Sequence, residues 1–191
     1  KALRVRVEGP AEGAAELRRW ACSAAFPGQE ALYREPERQR LHFSAQRGYI
    51  GDPNGLFYYA GRYHLFFQLN PYANDWGDWQ DHVNMSWGHA VSADLVHWTE
   101  HPPVLYPDGL GPAFSGSAVV DVENASGLQE GADPPILLYY TAAGGQARRT
   151  RHLKHTQCLA VSTDGGHSFR KYPGNPLLEN VAYGNRDPSL F

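Results

Sequence analysis

The segment AVSADLVHW, residues 90–98, returns later in the chain as AVSTDGGHSF, residues 160–169. An Ala-Val-Ser-x-Asp sequence opens both copies, and a Pro-x-Leu sequence follows each of them, at Pro103 and at Pro176. Internal repeats built from short strands are typical of β-propellers, in which each repeat forms a four-stranded blade. The repeat therefore predicts an all-β propeller, with about two blades and the opening strand of a third in this chain.

Residues 41–191 carry the strand pattern that a propeller requires. Short runs of aromatic and β-branched residues are each closed by Gly, Pro, Asn or Asp, which is typical of short antiparallel strands. LFYYAGRYHLFFQ, residues 56–68, predicts a hairpin that turns at Ala60 and Gly61. Further strands are predicted at SGSAVVDV (115–122), PILLYYTAA (135–143) and QCLAVSTD (157–164).

Residues 1–40 differ from the rest of the chain in composition and in hydrophobic pattern. KALRVRV alternates like a strand, AEGAAELRRWACSAA at 11–25 has the composition of a short helix, and REPERQR at 34–40 is a charged connector. The sequence therefore predicts that residues 1–40 are an upstream segment and that residues 41–191 are the N-terminal part of the propeller.

Composition excludes several classes of function. The 191 residues are 42% hydrophobic and 13% aromatic, as expected of a globular protein, and the net charge of -3 offers no electrostatic surface for nucleic acid. No apolar run approaches the ~20 residues of a membrane helix. Cys22 and Cys158 form no CxxC pair, and His152 and His155 lie in a basic run that is interpreted as a solvated loop. We expect no metal, no cofactor, and a neutral partner.

Three polar clusters occupy the same phase of successive repeats. They are GDPNG at 51–55, FSGS at 114–117 and NRDP at 185–188. The first strand of each blade lines the central channel of a propeller, so residues at one phase converge around the axis. Asp52, Ser115 and Asp187 are therefore predicted to meet in space.

Two aspartates at one channel mouth indicate a function, because like charges brought together out of water destabilise a fold. Asp52 and Asp187 each precede a proline, which favours an extended backbone at the aspartate and predicts that a stiff turn holds each carboxylate in place. Paired carboxylates suit glycoside hydrolysis. Aromatic side chains that could stack on sugar rings are Tyr72, Trp76, Trp79, Trp87 and Phe114, although most of the tryptophans are expected to pack within blades.

Six ordered motifs across residues 41–191 resemble glycoside hydrolase family 32, the invertases, inulinases and levanases that act on β-fructofuranosides. The motifs are GDPNG, FQLNP at 67–71, WG at 76–77, WGHAVSADLVHW at 87–98, FSGSAVVD at 114–121 and RDP at 186–188. The resemblance implies a five-bladed β-propeller, release of terminal fructose with retention of configuration, and a carbohydrate partner. Polymeric fructans as substrates indicate an extracytoplasmic location.

The resemblance also implies roles for individual residues. Asp52 matches the nucleophile, Asp187 matches the transition-state stabiliser, and Arg186 matches a residue that binds and orients the sugar. The residues that match the lining of the terminal fructose pocket are Gln68, Trp76, Phe114 and Ser115, with Asn54 shaping the turn after Asp52.

The sequence departs from the family pattern in two places. The family has Trp, Met or Ile, and Asn before its nucleophile, whereas this chain has Tyr49, Ile50 and Gly51, so a side-chain amide expected to touch the sugar is missing. The family's general acid is a glutamate followed by cysteine that lies beyond RDP, and none of the glutamates in residues 1–191 matches it. Residues 1–191 are therefore expected to hold two of the three catalytic carboxylates and to be inactive by themselves.

Two other functions fit the same residues. Tyr49 and Gly51 favour a related five-bladed furanosidase that acts on arabinose- or xylose-containing glycans. A propeller that binds sugar without catalysis is the alternative outside the enzymes. Preference among levan, inulin and sucrose depends on residues around the pocket rim and on later blades.

Overall fold

The chain folds into two antiparallel sheets of four strands each. The computed structural model describes residues 28–39, 41–73, 81–182 and 184–190. The first sheet, blade 1, comprises β1 (Tyr49–Tyr59), β2 (Arg62–Asn70), β3 (Ser86–Ser92) and β4 (Trp98–Leu105). The second sheet, blade 2, comprises β5 (Ala113–Val120), β6 (Ile136–Ala143), β7 (His155–Ser162) and β8 (Arg170–Lys171). Strands neighbour each other in chain order in both sheets, which confirms the predicted all-β fold and its two blades.

The predicted hairpin is β1 and β2. Ala60 and Gly61 form its turn with φ values of 49° and 80°, and Tyr59 pairs with Arg62 across it. Positive φ at both central residues is the conformation whose twist matches that of the flanking strands. The strands predicted at 115–122, 135–143 and 157–164 are confirmed as β5, β6 and β7. The strand and helix predicted within residues 1–25 lie outside the described residues.

The sequence repeat corresponds to the same type of turn in both blades. Ser92 ends β3 and donates a hydrogen bond to Asp94 Oδ1 at 3.1 Å, and Ser162 ends β7 and donates one to Asp164 Oδ1 at 2.7 Å. Both strands are third in their sheets. The Ser-x-Asp repeat therefore marks the exit from the third strand of each blade.

The largest core lies between the two blades. It is built from buried residues of both sheets, namely Phe66, Trp87, Leu105, Ala113, Ile136, Leu138, Tyr140, Ala142, Cys158 and Ala160. Burying this apolar surface holds the blades together. Because both blades contribute to one core, the ends of their first strands are fixed relative to each other.

Gly55 allows β1 to approach β5 closely, and we expect Gly55→Ala to destabilise the protein. A Cβ atom on Gly55 would lie 2.5 Å from Ala118 Cβ and 3.1 Å from the Ala118 backbone nitrogen. Overpacking of this kind costs typically about 1–3 kcal/mol. Urea denaturation of the full-length protein measures the free energy of unfolding. Gly109→Ala is the matched control, because no atom lies within 4 Å of the added Cβ there. Equal stabilities for the two variants would contradict the prediction.

The segment before β1 is held by hydrogen bonds within itself and by a bond from Gln46 to blade 1. Arg38 Nη1 donates to the Ala45 carbonyl at 2.7 Å, and the Tyr33 hydroxyl donates to the Ser44 carbonyl at 3.1 Å. The Gln46 N–H donates to Glu100 Oε2 at 2.7 Å.

No helix of the described ranges is long and apolar enough to cross a membrane. The division of the chain at residue 40 stays a prediction.

Candidate active site

A cavity of about 530 Å³ opens where the first strands of the two blades begin. Its walls come from the starts of β1 and β5, from β2, and from the segment that carries the Arg-Asp-Pro sequence. The lining residues are Tyr49, Gly51, Asp52, Gln68, Met85, Phe114, Ser115, Gln146, Arg186 and Asp187. Asp52, Ser115 and Asp187 thus meet in one cavity, although they are far apart in sequence.

Asp52 lies within strand β1, so the prediction that GDPNG forms a turn is wrong. The pairing of β1 with β2 shifts register between Ile50 and Pro53 and again between Pro53 and Gly55. Such bulges insert extra residues and redirect side chains beside active sites. The Ser115 hydroxyl donates to Asp52 Oδ2 at 2.7 Å. A bulged strand and a hydrogen bond from the next blade therefore position this carboxylate.

The wall between the blades is fixed by two bonds to backbone carbonyls. Gln68 Nε2 donates to the Ala113 carbonyl at 3.1 Å, and Trp87 Nε1 donates to the Phe114 carbonyl at 2.9 Å. Both bonds run from blade 1 to β5. They hold Phe114 and the following Ser115 at the cavity edge.

Asp187 reaches the cavity from residues 184–190, which carry no strand. Its N–H donates to Thr141 Oγ1 at 2.9 Å, and Arg186 Nε donates to Asp187 Oδ2 at 3.1 Å. The Ser117 hydroxyl donates to the Pro188 carbonyl at 2.9 Å, which attaches this segment to β5. The side chains of Arg186 and Asp187 are about half exposed, at 57% and 47%.

The backbone of Asp187 corrects a second prediction. Its φ is 59°, in the left-handed region, and not the extended region that the following proline favours. Aspartate tolerates this conformation better than most residues. The hydrogen bonds from Asp187 and to Pro188 outweigh the local preference.

Several predicted site residues do not line the cavity. Asn54 is 1% exposed, and its amide atoms have no hydrogen-bond partner among the described residues. Trp87 is fully buried in the core between the blades, so it offers no face to a sugar. Tyr72 is exposed and is not part of the cavity wall. Trp76 and Trp79 lie outside the described residues.

Four lining residues are not among the predicted site residues: Tyr49, Gly51, Met85 and Gln146. Burial raises the pKa of Tyr49, and the negative charge of Asp52 raises it further. The sequence marked Tyr49 as a departure from the family, but a regular strand would turn it away from Asp52. Gln146 is the first residue of the basic run at 146–155, and it lines the cavity although the sequence predicts a solvated loop there.

The rest of that basic run is exposed at Arg148, Arg149, Arg151, His152 and Lys154. His155 is half-buried, and its ring centroid lies 6.0 Å from that of Phe114. Burial lowers the pKa of His155, as does the positive charge of Arg186. Across the residues that the structure describes, no group of three or more His, Cys, Asp or Glu is arranged to hold a metal ion.

Two carboxylates that share a cavity at the blade ends are the arrangement expected of a propeller glycoside hydrolase. Residues 42–191 match the N-terminal domain of the glycosyl hydrolases family 32. The chain therefore belongs to glycosyl hydrolases family 32.

Relatives from bacteria and fungi are similar over most of the chain. A levanase of Bacillus subtilis is 43% identical over 169 residues, which cover 88% of this chain and 23% of the levanase. An invertase of Schizosaccharomyces pombe is 41% identical over 168 residues, which cover 83% of this chain and 27% of the invertase. The chain thus spans about a quarter of the length of these curated relatives.

Solved structures show the same fold. The β-fructofuranosidase of Schwanniomyces occidentalis complexed with fructosyl-erythritol superposes with a TM-score of 0.68 at 40% identity, over 81% of this chain and 29% of that one. The exo-inulinase of Aspergillus awamori superposes with a TM-score of 0.69 at 38% identity, over 83% of this chain and 33% of that one.

Proposed function

We propose that the protein is a retaining β-fructofuranosidase that releases terminal fructose from levan, inulin or sucrose. The observation that carries the proposal is the hydrogen bond from Ser115 to Asp52 in a cavity that Asp187 also lines. Membership of family 32 supports the same substrate class, because the similar proteins are named levanase, invertase and exo-inulinase.

Asp52 is the nucleophile in this proposal. Ser115 binds Oδ2, and Oδ1 accepts no hydrogen bond from the described residues, so Oδ1 is the oxygen that attacks C2 of the fructosyl unit. The Oδ1–C2 bond forms while the glycosidic C2–O bond breaks, and the leaving oxygen takes a proton from a general acid. Water then attacks C2, returns a proton to that acid, and frees Asp52 and fructose. The resemblance to the family implies that this acid is a glutamate beyond the Arg-Asp-Pro sequence.

Asp187 is proposed to stabilise the transition state. A carboxylate that accepts hydrogen bonds from ring hydroxyls binds more tightly as positive charge develops on the sugar. Arg186 holds Asp187 Oδ2 and directs the carboxylate. Gln68 and Phe114 shape the pocket for the ring, since both line the cavity. Gln68 is bonded to the Ala113 carbonyl of β5, and Phe114 is held by the bond from Trp87 to its carbonyl.

The proposal predicts the products that the purified full-length protein forms. We expect free fructose from sucrose, levan or inulin, measured by a reducing-sugar assay, and no release of sugar from arabinan. Proton NMR during the first minutes should show the β anomer before mutarotation, because two displacements at C2 retain configuration. Hydrolysis of arabinan alone would favour the related furanosidase, and binding of fructan without turnover would favour a lectin-like propeller.

A further inference from the structure

Tyr49 and Asp52 line the same cavity although they lie three positions apart along β1. Side chains three apart in a regular strand point to opposite faces. The register shift between Ile50 and Pro53 adds a residue to β1 and brings both side chains to the cavity. The bulge therefore places a phenol beside the proposed nucleophile.

Gly51 makes room for the Tyr49 ring. A Cβ atom on Gly51 would lie 3.2 Å from Tyr49 Cε1 and 3.4 Å from the Tyr49 hydroxyl oxygen. The φ of Gly51 is not positive, so its backbone does not require glycine. The requirement is space, because a side chain at position 51 would crowd the tyrosine ring. The hydroxyl thus occupies the region that a side chain at position 51 would enter.

The Tyr49 hydroxyl is a protonated hydrogen-bonding group. Burial and the charge of Asp52 both raise the pKa of Tyr49, so the phenol stays neutral at neutral pH. A neutral phenol can donate one hydrogen bond and accept another. Such a group is able to bond to a sugar hydroxyl next to the nucleophile.

We propose that Tyr49 is a substrate-positioning residue whose hydroxyl bonds to a fructosyl hydroxyl, and that Gly51 supplies the space for its ring. In this arrangement the phenol takes the place of the side-chain amide that the family pattern puts at position 51. The inference rests on the proposed function and deepens it, because it assigns a contact that orients the fructosyl ring over Asp52.

The test is Tyr49→Phe in the full-length protein, which removes one oxygen and keeps the ring against Gly51. We expect kcat/KM for sucrose to fall roughly tenfold, the effect of one lost hydrogen bond to a bound substrate. Sucrose analogues that each lack one hydroxyl of the fructosyl ring identify the partner. The analogue without that hydroxyl should react equally with wild type and Tyr49→Phe. Tyr58→Phe is the matched control on the same strand, since Tyr58 is 61% exposed, and should stay within about twofold of wild type.

A second pair of variants tests the role of Gly51. Gly51→Ala should lower kcat/KM roughly tenfold because the ring must move away from the substrate. In a Tyr49→Ala background the same change should matter less than about twofold, since the ring that it crowds is gone. Additive losses would overturn the space argument.

Results on the wild type separate this inference from the proposed function. A wild type that hydrolyses sucrose together with a Tyr49→Phe variant within about twofold of it would overturn the role of Tyr49 alone. An equal loss for every deoxygenated analogue would also overturn it, because no single hydroxyl would then be the partner. A wild type that binds no fructoside would overturn both.

Discussion

Asp52→Asn is expected to lower kcat/KM for sucrose by about 10⁴-fold or more, because an amide cannot form the covalent bond to C2. The asparagine side chain keeps the size of the aspartate and can still accept the Ser115 hydrogen bond through its carbonyl oxygen. Folding should be unaffected, since Asp52 is exposed at the cavity and belongs to no core cluster. Initial rates on sucrose and a thermal melt of each purified protein measure both properties.

A control variant removes a carboxylate elsewhere. Asp133→Asn makes the same chemical change in an exposed loop and should leave the rate within about twofold of wild type. Activity of Asp52→Asn within tenfold of wild type, with an unchanged melt, would show that Asp52 is not the nucleophile. A fall in both activity and melting temperature would contradict the expected neutral effect on folding.

The blades could be predicted from the sequence because local and tertiary signals agree there. The Ser-x-Asp repeat marks a turn that side-chain hydrogen bonds close within a few residues, at Ser92 and again at Ser162. Ala60 and Gly61 likewise fix a hairpin by their own conformations. Such features depend on neighbours in the chain, so a sequence pattern contains them.

The candidate site was harder to predict because its geometry depends on contacts that are distant in sequence. The pattern Gly-Asp-Pro-Asn-Gly is typical of a turn, but pairing with β2 keeps it in a strand and absorbs the extra residues as bulges. That change turns Asn54 into the interior and Tyr49 toward the cavity. The convergence of Asp52 and Asp187 could be predicted, because it depends only on the two residues having the same position in successive blades.

Asp187 shows how tertiary contacts override a local preference. The following proline favours an extended backbone, whereas the bond to Thr141 holds Asp187 at φ 59°. Thr141 in turn donates to Gln157 Oε1 at 2.8 Å, so strands β6 and β7 together set the position of the aspartate. A strained backbone that several bonds maintain is common at functional sites.

Asp187→Asn is expected to reduce kcat by about 10²-fold or more while changing KM little. The proposed bonds from ring hydroxyls to Asp187 strengthen only as charge develops, so their loss falls on the chemical step. Asparagine suits the test because it also tolerates the left-handed backbone that Asp187 adopts, whereas alanine would add strain.

The amide also weakens the pairing with Arg186, so Arg186→Gln in the aspartate background is the matched control for loss of that ion pair. Single-turnover and steady-state rates on sucrose separate chemistry from binding. A rise in KM with unchanged kcat would mean that Asp187 binds the ground state and the transition state equally. Another group of the cavity would then have to stabilise the transition state.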